Sequence, residues 1–354
     1  MRSSIRKRGA IEVQFNWIFV IIAGALILVF FINISTAQRK NADQKLAFDL
    51  LSKVDLIMSG ALTIPKTGQV FDMPNIEFNV ECNMISTLGV NRQFPDRIVF
   101  GPSLLDGRNL VVLSQDWNVP YKVSNFLYLT TSEVRYVIVA DPSDQNAISF
   151  KESLPDNITV EISNLSDIKN KNNYRIRLII LDTVYPNFDN DYFYDSEFEL
   201  PSFMQEMSEV QLNGIYIETN QNPQNVRFFK KSGDSFEFIG EEISVYKEPM
   251  IFGAIFSDDK EQFNCSRNKA FEKLYYVTEV YEKREEMLID AYEGSSFVEC
   301  DPSSGGPAGT RDTENLPLIK LKAENRDFSG LSNLESAVAS ENNNALRQSC
   351  APIY

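Results

Sequence analysis

Four cysteines are the side chains in this sequence whose chemistry follows most directly from type and spacing. They are Cys82, Cys265, Cys300 and Cys350, and the intervals between them are 183, 35 and 50 residues. Zinc sites usually draw thiolate ligands in close pairs such as C-x-x-C, so these wide intervals argue against zinc. Their even number favours two disulfide bonds, provided that this part of the chain is exported to an oxidising compartment.

Chain geometry restricts how the cysteines can pair. A helix predicted over residues 267–293 would span about 40 Å, and the roughly seven residues that lead on to Cys300 can double back by at most about 24 Å. Disulfide-bonded Cα atoms lie within about 7 Å of each other, so Cys265 should not pair with Cys300. A final strand and helix running back and forth beside the long helix would bring Cys350 to Cys300. We therefore predict the pairs Cys300–Cys350 and Cys82–Cys265, which would tie down the C-terminal tail.

Catalytic chemistry is restricted by the absence of histidine from the sequence. Ser-His-Asp and Cys-His nucleophiles, imidazole metal ligands and a histidine general base are all excluded. The sequence also lacks P-loop, G-x-G-x-x-G and G-x-S-x-G motifs. We therefore predict no catalytic, metal-binding or cofactor-binding residue and no cofactor. Two carboxylates could still act as acid and base in a hydrolase, but the 49 Asp and Glu residues offer no preferred pair.

The acidic, aromatic run at residues 187–199 (NFDNDYFYDSEFE) has oxygen ligands that calcium would accept. It lacks the glycine and the spaced terminal glutamate of an EF-hand loop. A solvated loop is the favoured interpretation, because carboxylates are ordinary surface groups.

Charge is distributed unevenly along the chain. The formal net charge is −15, and because the first nine residues carry +4 (Arg2, Arg6, Lys7 and Arg8), residues 10–354 carry −19. An acidic body repels phosphate backbones, and no basic stripe with interleaved aromatic residues is present. Nucleic-acid binding is therefore not expected.

A membrane-spanning helix is predicted at residues 15–34. The run Trp17–Ile32 contains no charged, amide or hydroxyl side chain, and twenty helical residues rise roughly 30 Å, the thickness of the hydrocarbon core of a bilayer. We expect residues 1–14 to form a basic cytoplasmic tail and the body to lie outside the cytoplasm. The predicted anchor residues are Trp17, Ile18, Phe19, Gly24, Phe30 and Phe31.

Two other interpretations of this segment remain open. The small residues Ser35-Thr36-Ala37 suit a signal peptidase, although the apolar run exceeds the usual signal-peptide core of about 7 to 15 residues. A buried core helix is disfavoured because the run is apolar on every face. The N-terminal residue of protein purified from membranes would distinguish a retained segment from a cleaved one.

The first 50 or so residues resemble the signal of archaeal type IV pilin-like proteins, the class III signal. Residues 6–10 (RKRGA) and 11–15 (IEVQF) precede the apolar run, as a basic stretch ending in glycine precedes the hydrophobic helix of that family. The resemblance implies cleavage between Gly9 and Ala10, with the helix kept as an anchor or stalk. It departs from the family at Glu12, the third residue after that cut, since the usual pilin glutamate is the fifth and Gln14 stands there.

Beyond the anchor, the chain predicts an amphipathic stalk helix and a mixed body. Residues 35–60 form the stalk, with Leu46, Leu50, Val54 and Ile57 on one face. This face is expected to pack against the body, and a seam for another anchored helix is the alternative. In the body, residues 61–354, we predict one α/β domain, an α+β mixed sheet with a helical layer. RYVIVAD (135–141) and RIRLIILD (175–182) should be strands covered on both faces, and RFFKKSGDSFEFIG (227–240) a hairpin.

The sequence of the rest of the body predicts short strands and two further helices. Helices are expected at 266–293 and within Gly330–Arg347, a flexible loop at 301–314, and strands at 316–323 and at 76–80, 97–100, 110–113, 126–130, 158–162, 174–181, 214–218 and 250–256.

The function predicted from sequence is structural or interactive. The chain is expected to be a single-pass, N-in membrane protein, a cell-surface or filament component whose partners are the lipid bilayer and other membrane or surface proteins, including copies of itself. An anchored binding module for a glycan or small ligand is the alternative, and a carboxylate-based hydrolase the third.

Overall fold

The structure is a computed structural model, and it describes residues 9–63, 68–171, 175–194, 198–301 and 314–354. Most of the predicted basic tail (residues 1–8) and of the predicted flexible loop (302–313) lies outside the described residues. The described chain is a mixed α+β structure with three β-sheets and seven α-helices.

One continuous helix, α1, runs from Gly9 to Thr63 and contains both the predicted span and the predicted stalk. No proline interrupts it, and a Cβ added at either of its internal glycines, Gly24 or Gly60, would meet no neighbouring atom within 4 Å. At about 1.5 Å per residue it is roughly 80 Å long. The predicted span and the predicted stalk thus lie in one helix.

Fifteen strands are present in the described residues, and they form three sheets. The first sheet has the order β1-β7-β8-β5, the second β4-β3-β2-β6, and the third β10-β9-β11-β12-β13-β14 with β15 also on β13. The strands are β1 Gly68–Asp72, β2 Phe78–Glu81, β3 Met84–Thr87, β4 Val90–Gln93, β5 Ile98–Phe100, β6 Leu104–Leu105, β7 Asn109–Asn118, β8 Lys122–Thr131, β9 Val134–Val139, β10 Thr159–Ser163, β11 Arg175–Leu181, β12 Leu212–Glu218, β13 Gln224–Ser232, β14 Ser235–Phe238 and β15 Ile243–Val245.

Six helices follow α1. They are α2 Gln145–Ser153, α3 Ser202–Gln205, α4 Glu248–Phe256, α5 Lys260–Tyr292, α6 Asn315–Glu324 and α7 Leu331–Arg347. The predicted long helix is confirmed by α5, whose Asp259 side chain accepts from the Gln262 amide at its start. The predicted C-terminal helix is confirmed by α7.

The seven-stranded sheet lies between two packed layers, as its apolar strands predicted. Strands β10, β9, β11 and β12 are parallel, whereas β13 is antiparallel to its neighbours. Alternate residues of β11 face opposite layers: Ile179 packs in the core that contains α4 and α5, and Leu178 packs under aromatic residues of 185–207. The predicted hairpin is β13–β14, with Gly233 in its turn at φ +60°.

Two segments predicted as strands are helices. Residues 250–256 lie in α4, in which every residue from Pro249 to Phe256 is buried, and a short apolar run buried on all sides has no periodicity that distinguishes helix from strand. Residues 316–323 lie in α6, where Leu316, Ile319 and Ala323 are buried at helical spacing.

The buried side chain of Arg177 joins β11 and β12 to the end of α4. Its guanidinium donates to the carbonyl oxygens of Ala254 (3.1 Å), Ile255 (3.2 Å) and Ser257, and to the side-chain oxygen of Asn213 (2.7 Å). Carbonyl groups at a helix C-terminus have no partner within the helix and favour a cation. Burial lowers the pKa of Arg177 to about 10, so it stays protonated at neutral pH and caps this helix.

Replacement of Arg177 should therefore destabilise the body. Arg177→Met leaves several buried carbonyl groups unpaired, and we expect the free energy of unfolding to fall by about 3 kcal/mol or more. Arg347→Met, at an exposed position of α7, is the control and should change it by less than about 0.5 kcal/mol. Denaturant unfolding of both variants measures this, and equal effects would contradict the capping role.

Candidate functional site

Residues 17–34 of α1 present an apolar surface with no protein partner among the described residues. The most apolar 18-residue window of α1 has a mean hydropathy of 2.8 and none of it is buried. The predicted anchor residues are all exposed, with 67% of Trp17, 72% of Phe19 and 63% of Phe31 accessible. This helix is therefore long and apolar enough to cross a membrane. The predicted processing site, Gly9-Ala10, is not among the residues whose side chains the structure describes.

The last third of α1 is part of the core of the body. Its buried residues pack against strands of the first two sheets, including Phe78, Val80, Leu110 and Leu127. The prediction that the stalk packs against the body is confirmed by Leu50 and Val54, whereas Leu46 is 42% exposed because packing begins only at Ala47. The buried residues of this part of α1 are Ala47, Leu50, Leu51, Val54, Met58 and Ala61.

We call the surface on which residues 47–61 of α1 pack against the body the docking surface of α1. A polar cluster stabilises the edge of this surface. The Asp55 carboxylate lies 2.7 Å from Arg92 and 2.6 Å from Arg97, and Arg97 also donates to the Ser59 hydroxyl at 2.8 Å. Burial opposes ionisation of Asp55, but the two guanidinium groups outweigh it and hold its pKa below the usual 3.8. At the end of α1 the Asn125 side chain donates to the Leu62 carbonyl at 2.6 Å.

The cysteines form the two disulfides predicted from chain geometry. Cys82–Cys265 joins the turn after β2 to α5 with Cα atoms 5.9 Å apart, and Cys300–Cys350 joins the segment after α5 to the residues after α7 with Cα atoms 5.7 Å apart. Because α5 is one uninterrupted helix, Cys265 and Cys300 lie far apart, as the prediction required. The second bond holds the C-terminal tail, where the Asn342 side chain also accepts from the Ile353 amide at 2.7 Å.

Lys269 connects the first disulfide to the docking surface of α1. Its ammonium group donates to the carbonyl oxygens of Cys82 at 2.7 Å and of Arg97 at 3.0 Å. Burial lowers its pKa to about 8. The strand segments that touch α1 are thus held to α5 by a covalent bond and by two hydrogen bonds.

A second concentration of polar groups lies at the carboxyl edge of the parallel strands. Asp141 follows β9, Asp182 follows β11 and Glu218 ends β12. The Thr219 hydroxyl donates to Asp182 at 2.7 Å, and burial, with the nearby charge of Glu242, raises the pKa of Glu218. In the part of the chain that the structure describes, no three acidic or cysteine side chains are placed to hold a metal ion.

The described carboxylates of the acidic, aromatic run, Asp189, Asp191 and Glu199, are exposed as predicted, but its phenylalanine side chains are not. Phe188, Phe193 and Phe198 are buried and cover one face of the seven-stranded sheet. Their spacing of five residues is neither helical nor strand-like, so periodicity gave no signal for this packing. Asp195 and Glu197, two other carboxylates of this run that calcium could accept as ligands, lie outside the described residues.

Comparisons with protein-family models, with curated proteins and with solved structures give no match.

Loss of the Asp55 carboxylate should make the body less stable in a pH-dependent way. A carboxylate whose pKa is lowered by folding stabilises above its unfolded pKa, and this contribution disappears as the pH falls through the lower folded value. We expect Asp55→Asn to reduce the free energy of unfolding by about 1–3 kcal/mol at pH 7 and by progressively less below about pH 4.

Asp49→Asn is the matched control, because Asp49 lies on the exposed face of the same helix. Urea unfolding of both variants between pH 7 and pH 3 measures the difference. A deficit of the Asp55 variant that stays constant across this range would contradict the assignment.

Proposed function

We propose that the protein is a single-pass membrane-anchored structural or interaction protein with an extracytoplasmic body. The observation that carries the proposal is that residues 17–34 of α1 are apolar with no protein partner among the described residues, whereas its last third, residues 47–61, is built into the core. A surface of large apolar side chains this extensive is costly in water. Insertion of residues 15–34 into a bilayer removes that cost.

Charge and disulfides support the orientation in this proposal. The first nine residues carry +4, which favours retention of the N-terminus in the cytoplasm. Both disulfides lie on the other side of the apolar segment, and disulfides persist in oxidising, extracytoplasmic compartments. Insertion with the N-terminus in the cytoplasm and the body outside satisfies both the charge distribution and the need of the disulfides for an oxidising compartment.

The assembly role in the proposal is that of a pilin-like cell-surface component. The exposed stretch of α1, residues 35–46, and its apolar half offer surface to other membrane proteins or to copies of this chain. Processing between Gly9 and Ala10 would leave this helix intact as the anchor. Intact mass of the membrane-purified protein tests this part of the proposal, and a mass that retains residues 1–9 would overturn it.

A binding module is the second candidate, and one feature of the sheet favours it. The chain passes from β9 to β10 on one side and then to β11 on the other, so the carboxyl ends of β9 and β11 form a topological switch point. Ligands of open parallel sheets bind at such points. Asp141 and Asp182 stand there, and a glycan or small polar ligand would meet them first.

The anchor is tested by two matched double substitutions on α1. Val20→Arg with Leu28→Arg places two charges in the apolar segment, each costing about 2.5–3.5 kcal/mol at the centre of a bilayer. Phe48→Arg with Leu56→Arg is the control, with the same spacing and with two exposed residues beyond that segment.

Membranes from cells that express each full-length chain are extracted with alkaline carbonate. We expect the parent and the control variant to stay in the membrane pellet, and the Val20/Leu28 variant to lose membrane retention. Release of the parent chain into the supernatant would overturn the proposal.

A further inference from the structure

The hairpin formed by β3 and β4 extends beside α1 toward the apolar segment. Thr87 pairs with Val90, so the loop consists of Leu88 and Gly89 alone. This tip borders an open groove against the first exposed turns of the stalk, and the groove is lined by Thr36, Arg39, Lys40, Asp43, Gln44, Leu88 and Gly89.

The distance of this tip from the end of the apolar segment follows from the rise per residue of α1. Arg39 and Lys40 lie five and six residues after Ile34, where the apolar segment ends, and so about 8–9 Å farther along the axis. The polar headgroup layer extends roughly 5–8 Å beyond the hydrocarbon on each side of a bilayer. With residues 15–34 in the membrane, the hairpin tip stands at the outer face of the headgroups.

The side chain at the tip is unusual for its position. Leu88 has φ +48° and Gly89 φ +77°, the left-handed geometry of a tight hairpin turn in which asparagine or aspartate normally precedes glycine. Leu88 is also 44% exposed. A polar residue would suit both the backbone and the solvent better, so turn formation does not account for leucine here.

The net charge of the part of α1 beside the hairpin tip is opposite in sign to that of the body. Residues 35–46 carry a net +2, because Arg39, Lys40 and Lys45 outnumber Asp43, whereas residues 47–354 carry −20. Arg39 and Lys40 are exposed, and no carboxylate of the described chain lies within ion-pairing distance of either. A negatively charged partner is therefore favoured at this level of α1 and disfavoured against the body.

We propose that the β3–β4 tip and the basic turn beside it form a second membrane contact that binds anionic lipid headgroups of the outer leaflet. Leu88 enters the interface, while Arg39 and Lys40 pair with lipid phosphate. The inference rests on the membrane anchor of the proposed function. The contact sets the angle at which the body stands on the bilayer, since β3 and β4 pack against the docked part of α1.

Depth-dependent quenching of tryptophan fluorescence tests this contact in the full-length chain. The chain has two tryptophans, Trp17 in the apolar segment and Trp117 in the buried core. The probe variant combines Trp17→Phe with Leu88→Trp and is reconstituted into vesicles that contain anionic lipid and a nitroxide either on the headgroup or deep in the acyl chain. The control combines Trp17→Phe with Asp234→Trp, at the exposed tip of the β13–β14 hairpin.

We expect the headgroup nitroxide to quench the probe at position 88 on the order of twofold more than the control, and the deep nitroxide to act weakly on both. Adding Arg39→Gln and Lys40→Gln should reduce the quenching at position 88. Asn91→Trp, on the exposed side of β4, is a second probe if the Leu88 variant does not unfold cooperatively like the parent.

The remaining outcomes separate the two proposals. Quenching at position 88 no stronger than at position 234, with Trp17 of the parent quenched by either nitroxide, overturns the second contact and leaves the anchor standing. A signal that depends on the protein-to-lipid ratio rather than on the nitroxide identifies a second copy as the occupant and also overturns it. Absence of quenching of Trp17 in the parent overturns both proposals.

Discussion

The architecture depends on the packing of the last third of α1 into the core of the body. Five of the six buried residues of this helix pack against strands of two different sheets, and burial of a large apolar side chain contributes about 1.5–3 kcal/mol relative to exposure. Because α1 is one uninterrupted helix, whatever positions its docked part also positions its exposed apolar part. The surface of the helix that a membrane would cover is therefore fixed in direction relative to the body.

A single chain of interactions holds that docking surface in place. Asp55 on α1 contacts Arg97, the Arg97 carbonyl accepts from Lys269 on α5, and Cys265 on α5 is bonded to Cys82 beside β2. The carboxylate and the disulfide are thus two ends of one connected network. The Cys300–Cys350 bond serves a separate purpose, since it fixes the tail that follows α7. Force transmitted along α1 would reach the core of the body rather than a loop.

The parts of the structure that the sequence could predict are those with a long periodic pattern or a strict geometric limit. Helix α5 repeats its apolar positions along most of its length, and that length alone excluded one cysteine pairing. The strand predictions for residues 250–256 and 316–323 were wrong because an apolar run of seven or eight residues is too short to show whether its period is helical or strand-like, and tertiary burial decides its structure. The roles of Arg177 and Asp55 had no local signal, because each depends on partners more than 30 residues away in the chain. The exposed apolar surface was predictable, whereas the hairpin beside it was not, since β3 and β4 have only four residues each.

Hydrogen exchange of the full-length chain in lipid nanodiscs reports on the apolar, exposed and docked parts of α1 at once. If lipid covers residues 17–34 and residues 47–63 belong to the core, we expect slow exchange at 17–34, faster exchange at 35–46, and exchange at 47–63 as slow as in strands β7 and β8. Exchange at 47–63 as fast as at 35–46, with β7 and β8 still protected, would show that the helix is not part of the core. That result would contradict the account.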